Sequence, residues 1–107
     1  MADTPSKKDI LFKVKGMYMV EEKQVELKLK QEIEKLGGLC LKFVSPGMSG
    51  MPDRLILLPD KKIYFAELKA PGEKLRPLQL KRKEQLESLG FKVYKIDSYE
   101  KVEEVIR

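Results

Sequence analysis

Histidine is absent from this chain of 107 residues, and cysteine occurs once, as Cys40. Without an imidazole, no His-metal finger nuclease, histidine-based ribonuclease, HD-type phosphohydrolase or Ser-His-Asp triad can be built, since each needs one as base or ligand. A single cysteine excludes a disulfide framework and any cysteine-based zinc site. Cys40 falls within an apolar run, where a buried, inert thiol is expected. No stretch of about 18 apolar residues is present, so no membrane-spanning helix is expected. The N-terminus also lacks the apolar core of a signal peptide, which makes the cytoplasm the expected compartment. A G-x-x-x-x-G-K-[ST] loop is missing too, which removes P-loop NTPases and with them a nucleotide cofactor. Hydrolysis is therefore left with carboxylates, lysine and a hard metal ion.

What the chain does have is charge. Lys and Arg number 22 against 17 Asp and Glu, a net charge of +5, which favours a polyanionic partner. Lys74, Arg76, Lys81, Arg82 and Lys83 fall within ten residues that contain no acid. From Asp97 onward the balance reverses, with Asp97, Glu100, Glu103 and Glu104 against Lys101 and Arg107. The basic run is a candidate DNA-binding surface; a merely solvated helix face is the bland alternative. The length supports one domain, small for an enzyme that must embrace a large substrate alone, so a homodimer is expected.

Residues 1–19 carry mixed charge without clear periodicity and read as an unassigned N-terminal extension; residues 20–107 read as the folded domain. Val25, Leu29, Ile33 and Leu36 recur at helical spacing in the segment 20–36, which ends at Gly37-Gly38. Leu39 to Val44 reads as a strand, followed by a flexible loop, Ser45-Pro46-Gly47-Met48-Ser49-Gly50. Arg54 to Leu58 and Ile63 to Leu68 are further strands, joined by a turn at Pro59 to Lys62. Pro77 opens a second helix that runs to Leu89, with Gly90 just past its end. Lys92 to Ile96 is the fourth strand, and Asp97 or Ser98 caps a short final helix, Asp97 and Glu100 having capping-box spacing. The order α-β-β-β-α-β-α implies a mixed α/β fold in which the last two strands run parallel through a right-handed helical connection.

Two segments of this frame carry candidate chemistry. Gly50-Met51-Pro52-Asp53-Arg54 opens one strand, and Glu67-Leu68-Lys69 closes the next, with Glu67 fourteen positions after Asp53. The [DE]-x-K pattern alone is weak, since it recurs at Glu21-Glu22-Lys23, Glu26-Leu27-Lys28 and Asp60-Lys61-Lys62. Strand context separates Glu67-Leu68-Lys69 from those three. Pairing the strands about Pro59 to Lys62 brings Asp53 and Glu67 to the same sheet end, on strands about 4.8 Å apart, close enough to share one cation. Oxygen ligands without histidine suit Mg²⁺ or Mn²⁺ rather than Zn²⁺. Alternation places Lys69 on the same face as Glu67, where it can orient or deprotonate a water or neutralise phosphate charge. The Leu68 carbonyl is positioned to complete a metal shell. Glu22 and Glu26, one helical turn apart at the border of the first helix's apolar stripe, and Gln79, in the first turn of the second helix, are further candidates. Exposed flank residues are the alternative for all three.

Together, the glutamate-bearing helix, Gly37-Gly38, Gly50-x-Pro52-Asp53-Arg54, Phe65-x-Glu67-Leu68-Lys69-x-Pro71, Gln79 and Leu89-Gly90-Phe91-x-Val93 resemble the VRR-Nuc domain, a branch of the PD-(D/E)XK nuclease superfamily. The resemblance spans roughly residues 20–106. It implies a restriction-endonuclease-like core, with Asp53 and Glu67 as metal ligands assisted by the Leu68 carbonyl, Lys69 as catalytic lysine and Gln79 as the glutamine after the core motif. Glu26, eleven residues before Gly37, matches the helix-one glutamate better than Glu22. Stand-alone members of this size resemble phage-encoded homodimeric nucleases that cut branched DNA, which implies the cytoplasm of a bacterial or phage-infected cell. The activity implied is Mg²⁺- or Mn²⁺-dependent DNA endonuclease action on four-way (Holliday) junctions. The alternatives are a flap or single-strand nuclease, a nickase, or a non-catalytic DNA-binding module on the same fold.

Overall fold

In the computed structural model, the described residues are 13–14, 17–18 and 21–107; the expectations for the rest of residues 1–19 lie outside them. Two short strands, β1 (Lys13–Val14) and β2 (Met17–Tyr18), pair antiparallel. The domain proper follows as α1 (Glu22–Lys35), β3 (Leu39–Lys42), β4 (Arg54–Leu58), β5 (Lys62–Leu68), α2 (Pro77–Ser88), β6 (Lys92–Ile96) and α3 (Tyr99–Ile106). The four longer strands form one sheet in the order β3-β4-β5-β6. The first two pairings are antiparallel and β5 with β6 is parallel, as the intervening helix requires.

Side-chain alternation divides the apolar residues between the two sheet faces. Cys40, Ile56, Ala66, Leu68 and Ile96 point to one face, where Val25, Leu29 and Ile33 of α1 and Val102 and Val105 of α3 close over them. The three α1 residues, at spacing i, i+4, i+8, are all fully buried, and burial of each stabilises by about 1.5–3 kcal/mol. Phe65, Leu86 and Val93 form a smaller core on the opposite face, with Phe43, Met51, Leu55 and Phe91 packed against it. Phe65 lies between Phe43 and Phe91, edge-on to each with ring centroids 5.7 Å apart.

Local signals set the helix ends. Gln24 reaches back to accept the Glu21 backbone N–H at 2.9 Å. At the other end Gly38 N–H reaches Ile33 O and Gly37 N–H reaches Glu34 O; Gly37 sits at φ +83°, the left-handed position of a Schellman ending. Gly90 ends α2 identically, with Phe91 N–H on Leu86 O. One detail differs from expectation and another is decided between two candidates. Leu36 is not part of the α1 stripe but its C-cap, 46% exposed, because the turn toward Gly37 carries it off the buried face. Ser98 rather than Asp97 caps α3, its Oγ accepting Lys101 N–H. Asp97 is occupied elsewhere, by the Gly72 N–H and Lys95.

The β4–β5 connection places Asp60 and Lys61 at φ 65° and 62°. Asp tolerates that region through local hydrogen bonding, whereas for Lys it costs roughly 1–2 kcal/mol. Lys61→Gly is therefore expected to raise stability by up to about 1 kcal/mol once the entropy glycine adds to the unfolded chain is subtracted. Urea unfolding measures this, and a lowered midpoint would show that Lys61 gains something the backbone angle hides.

Candidate active site

Arg54 pairs with Ala66 across β4 and β5, so the next residues outward, Asp53 and Glu67, face each other at the sheet's end. Asp53 stands at the open rim and Glu67 is buried, 8% exposed. The Leu68 N–H donates to Asp53 Oδ1 at 3.2 Å, fixing that carboxylate against β5. The N–H and C=O of a strand residue leave the backbone on the same side, so the Leu68 carbonyl faces the same edge. Lys69 continues the β5–β6 ladder through its N–H on Ile96 O. Its own side chain is buried, with Nζ 4.0 Å from Glu67 Oε2. Gln79, buried in the first turn of α2, donates through Nε2 to Glu67 Oε2 at 2.8 Å. Its carbonyl accepts the Arg76 backbone N–H at 2.8 Å, so one amide locks both the helix start and the glutamate.

The electrostatics follow from this crowding. Burial, then the neighbouring Asp53, push the Glu67 carboxyl up to about 7, against the pull of Lys69, the Asp53 backbone N–H and Arg76. Burial also raises Asp53, opposed by the Leu68 N–H and Arg54. Glu22, in the first turn of α1, is raised by burial and then by Asp53 and Glu73, with Lys69 pulling it down. Asp53 thus acts on both Glu22 and Glu67, and the buried Lys69 pulls against it at both.

No family model matches the chain. A curated protein described as "Putative nuclease p44", from Acyrthosiphon pisum secondary endosymbiont phage 1, is 49% identical over 82 residues, which is 77% of this chain and 88% of that protein. A solved structure described as "VRR_NUC domain" superimposes with a TM-score of 0.75 at 36% identity, over 79% of this chain and 92% of the other. The chain belongs to the VRR-Nuc family.

Within this VRR-Nuc domain the residues expected at the site divide in two. Asp53, Glu67, Leu68, Lys69 and Gln79 converge. Glu26 does not join them directly: its Oε2 is bonded to the Arg54 guanidinium, which is 6% exposed and points to the α1 side of the sheet. Glu26 still contributes to the field at Asp53. Glu22 forms no ion pair among the described residues and is the helix glutamate whose field reaches both Asp53 and Lys69. The signal that distinguishes them is Arg54, because a buried guanidinium needs a carboxylate and α1 supplies it. The basic patch is thinner than the sequence suggests. Arg82 Nε is bonded to Ser49 O and its guanidinium to Gln85, and Lys83 is paired with Glu87. Lys74, Arg76 and Lys81 stay exposed and form no ion pair among the described residues.

The loop before Asp53, expected to be flexible, is instead pinned to α2. Besides the Arg82 bond, Gly50 sits at φ +83°, where a Cβ would lie 2.6 Å from Leu78 Cγ and 3.1 Å from Leu78 O. Gly50→Ala is expected to destabilise by about 1–3 kcal/mol, from the left-handed backbone and the clash together. Thermal unfolding reads this directly; an unchanged Tm would mean the loop has room to retreat.

The VRR-Nuc site fits a hard divalent cation. Glu67 is a buried carboxylate beside a second one with a single lysine 4.0 Å away, which leaves negative charge under-compensated. Among the described residues no three His, Cys, Asp or Glu side chains gather closely enough to form a metal cage. Asp53, Glu67 and the Leu68 carbonyl would thus supply part of a shell that water and substrate oxygens complete, the arrangement Mg²⁺ favours.

Proposed function

We propose that this chain is a Mg²⁺- or Mn²⁺-dependent DNA endonuclease that hydrolyses phosphodiester bonds in branched DNA, four-way junctions among them, as a homodimer. The observation that carries the reading is Asp53 opposite Glu67, with Lys69 and Gln79 both on Glu67. The nuclease named in the phage relative supports the activity. A cation bound by Asp53, Glu67 and the Leu68 carbonyl would stabilise charge on the scissile phosphate and acidify a water beside it.

The chain's own residues do the rest. Lys69 Nζ, held buried beside Glu67, is placed to orient the attacking water, take its proton or meet charge on the phosphate. Gln79 donates to the Glu67 carboxylate and ties it to the start of α2. Arg76, near enough to influence Glu67, with Lys74 and Lys81, would hold the strand's phosphates without reading bases. Two copies would direct two sites at opposite strands, as symmetric junction cleavage needs.

Cleavage of matched four-way junction, flap, nicked duplex and linear duplex substrates, with Mg²⁺, Mn²⁺ or EDTA, tests the reading. Metal-dependent incision of the junction is expected, and metal-independent cutting would refute it. Gln79→Ala is expected to lower metal-dependent cleavage by about 10–100-fold, the usual effect of losing a group that orients a ligand. A Mn²⁺ titration of that variant should recover part of the rate. Full rate at low Mn²⁺ would show that Glu67 is held without Gln79.

A further inference from the structure

On the flank away from α2, a cleft of about 670 Å³ opens between the first half of α1 and the outer strand β3. Lys23 and Lys30 line it from α1, Lys42 from β3, and Arg54 from β4. The Arg54 charge is matched by Glu26, but Lys23, Lys30 and Lys42 are exposed and form no ion pair among the described residues. Lys28 and Lys35 on α1 have carboxylate partners, whereas these three do not. Three unmatched cations in one cleft, against Glu21 alone, create a local positive field inside a concave wall. The exposed apolar side chain on the α1 wall is Leu27, 55% exposed. Arg54, in the cleft wall, adjoins Asp53 in the chain, and Glu26, also in the wall, acts on Asp53 electrostatically.

We infer that this cleft holds a single-stranded segment of DNA, its phosphates on Lys23, Lys30 and Lys42 and a base against Leu27. The inference rests on the proposed nuclease reading and adds a substrate class to it: duplex DNA bearing an unpaired strand, which the cleft would hold. The charge selects a polyanion over a protein segment. The volume of about 670 Å³ is that of a small-ligand pocket, of order 300–1,000 Å³, which has room for nucleotide units. Recognition would be independent of sequence, because phosphate contacts carry no base information. The cleft was not legible in the sequence, where acids interrupt these three lysines.

The test uses the full chain with a triple variant, Lys23→Ala/Lys30→Ala/Lys42→Ala, all exposed positions whose loss leaves the core intact. Lys61→Ala/Lys62→Ala, at the far end of the β4–β5 hairpin, controls for general loss of charge. Fluorescence anisotropy in EDTA measures binding to a labelled duplex with a single-stranded tail and to the same duplex blunt-ended. The triple variant is expected to lower the salt slope on tailed DNA by about 2 and the affinity by 10- to 100-fold at 0.1 M salt. Blunt-duplex binding and the double control should stay at wild-type values. Wild-type affinity of the triple variant for tailed DNA overturns the inference, as does equal weakening on both DNAs. If the wild type binds tailed DNA through these lysines but cuts no DNA with either metal, the nuclease reading falls and the cleft stands. If it binds no DNA, both fall.

Discussion

Asp53→Ala and Glu67→Ala are each expected to reduce metal-dependent DNA cleavage by about 10³-fold or more, the scale on which a dominant electrostatic group is lost. Lys69→Ala should cost roughly 10²–10⁴-fold, within the range of a single positioned proton-transfer group. The three effects should not sum, because the residues share one charge cluster. Folding does not confuse the test at Asp53: its side chain is at the rim, and removing it strands only the Leu68 N–H, a penalty of about 1–3 kcal/mol. Arg54→Ala is the informative contrast. It touches no reacting group in this reading, yet leaves the Glu26 carboxylate without the buried cation it serves. That variant should lose activity mainly through stability, by about 1–3 kcal/mol, since Glu26 is partly solvated and the loss is of a hydrogen-bonded, packed side chain. Single-turnover cleavage at a temperature where all variants are folded separates the cases. Wild-type turnover by Asp53→Ala or Glu67→Ala under Mn²⁺ would remove the assignment.

The distance between what the sequence foretold and what the structure holds has a physical pattern. β4 and β6 match their expected bounds because each lies between turn residues and alternates on a buried sheet. Both glycine helix endings followed from a left-handed requirement that only glycine meets cheaply. The opposition of Asp53 and Glu67 was legible because register propagates outward from a short hairpin without ambiguity. The glutamates of α1 were not separable in that way. Glu22 and Glu26 differ by one turn on the same flank, and the choice depends on which of them Arg54 claims, a tertiary fact. The role of Arg82 was equally hidden, since its carbonyl partner lies 33 residues earlier in the chain. Charge runs in sequence overstate binding surfaces for the same reason: Arg82 and Lys83 are used within α2 and its neighbouring loop, while Lys23, Lys30 and Lys42 gather from separate elements.

Glu67→Gln is expected to stabilise the metal-free protein while eliminating its divalent-cation binding. In the folded state the Glu67 carboxyl titrates near 7, against 4.5 as the ordinary value. A carboxyl raised on folding makes the native state bind more protons than the unfolded chain between those values, so stability falls as pH rises through that window. The stability is fully present below 4.5 and is lost once pH passes about 7. The displacement corresponds to about 3 kcal/mol at most. Some of it returns when glutamine removes the partner of Lys69, so a gain of about 1–3 kcal/mol at pH 8 is expected, shrinking toward zero at pH 4.5. For a domain of this size, each kcal/mol raises Tm by about 4–8 °C. Mn²⁺ should reverse the order at pH 8, because the wild type gains stability from a ligand that binds only its folded form and the variant does not. Thermal melts of both proteins at pH 5 and pH 8, with EDTA and with Mn²⁺, measure all of this. A metal-free wild type that grows more stable from pH 5 to pH 8, or a variant no more stable than it at pH 8, would show that Glu67 is ionised without penalty. The site would then lack the excess negative charge that fits it to a cation.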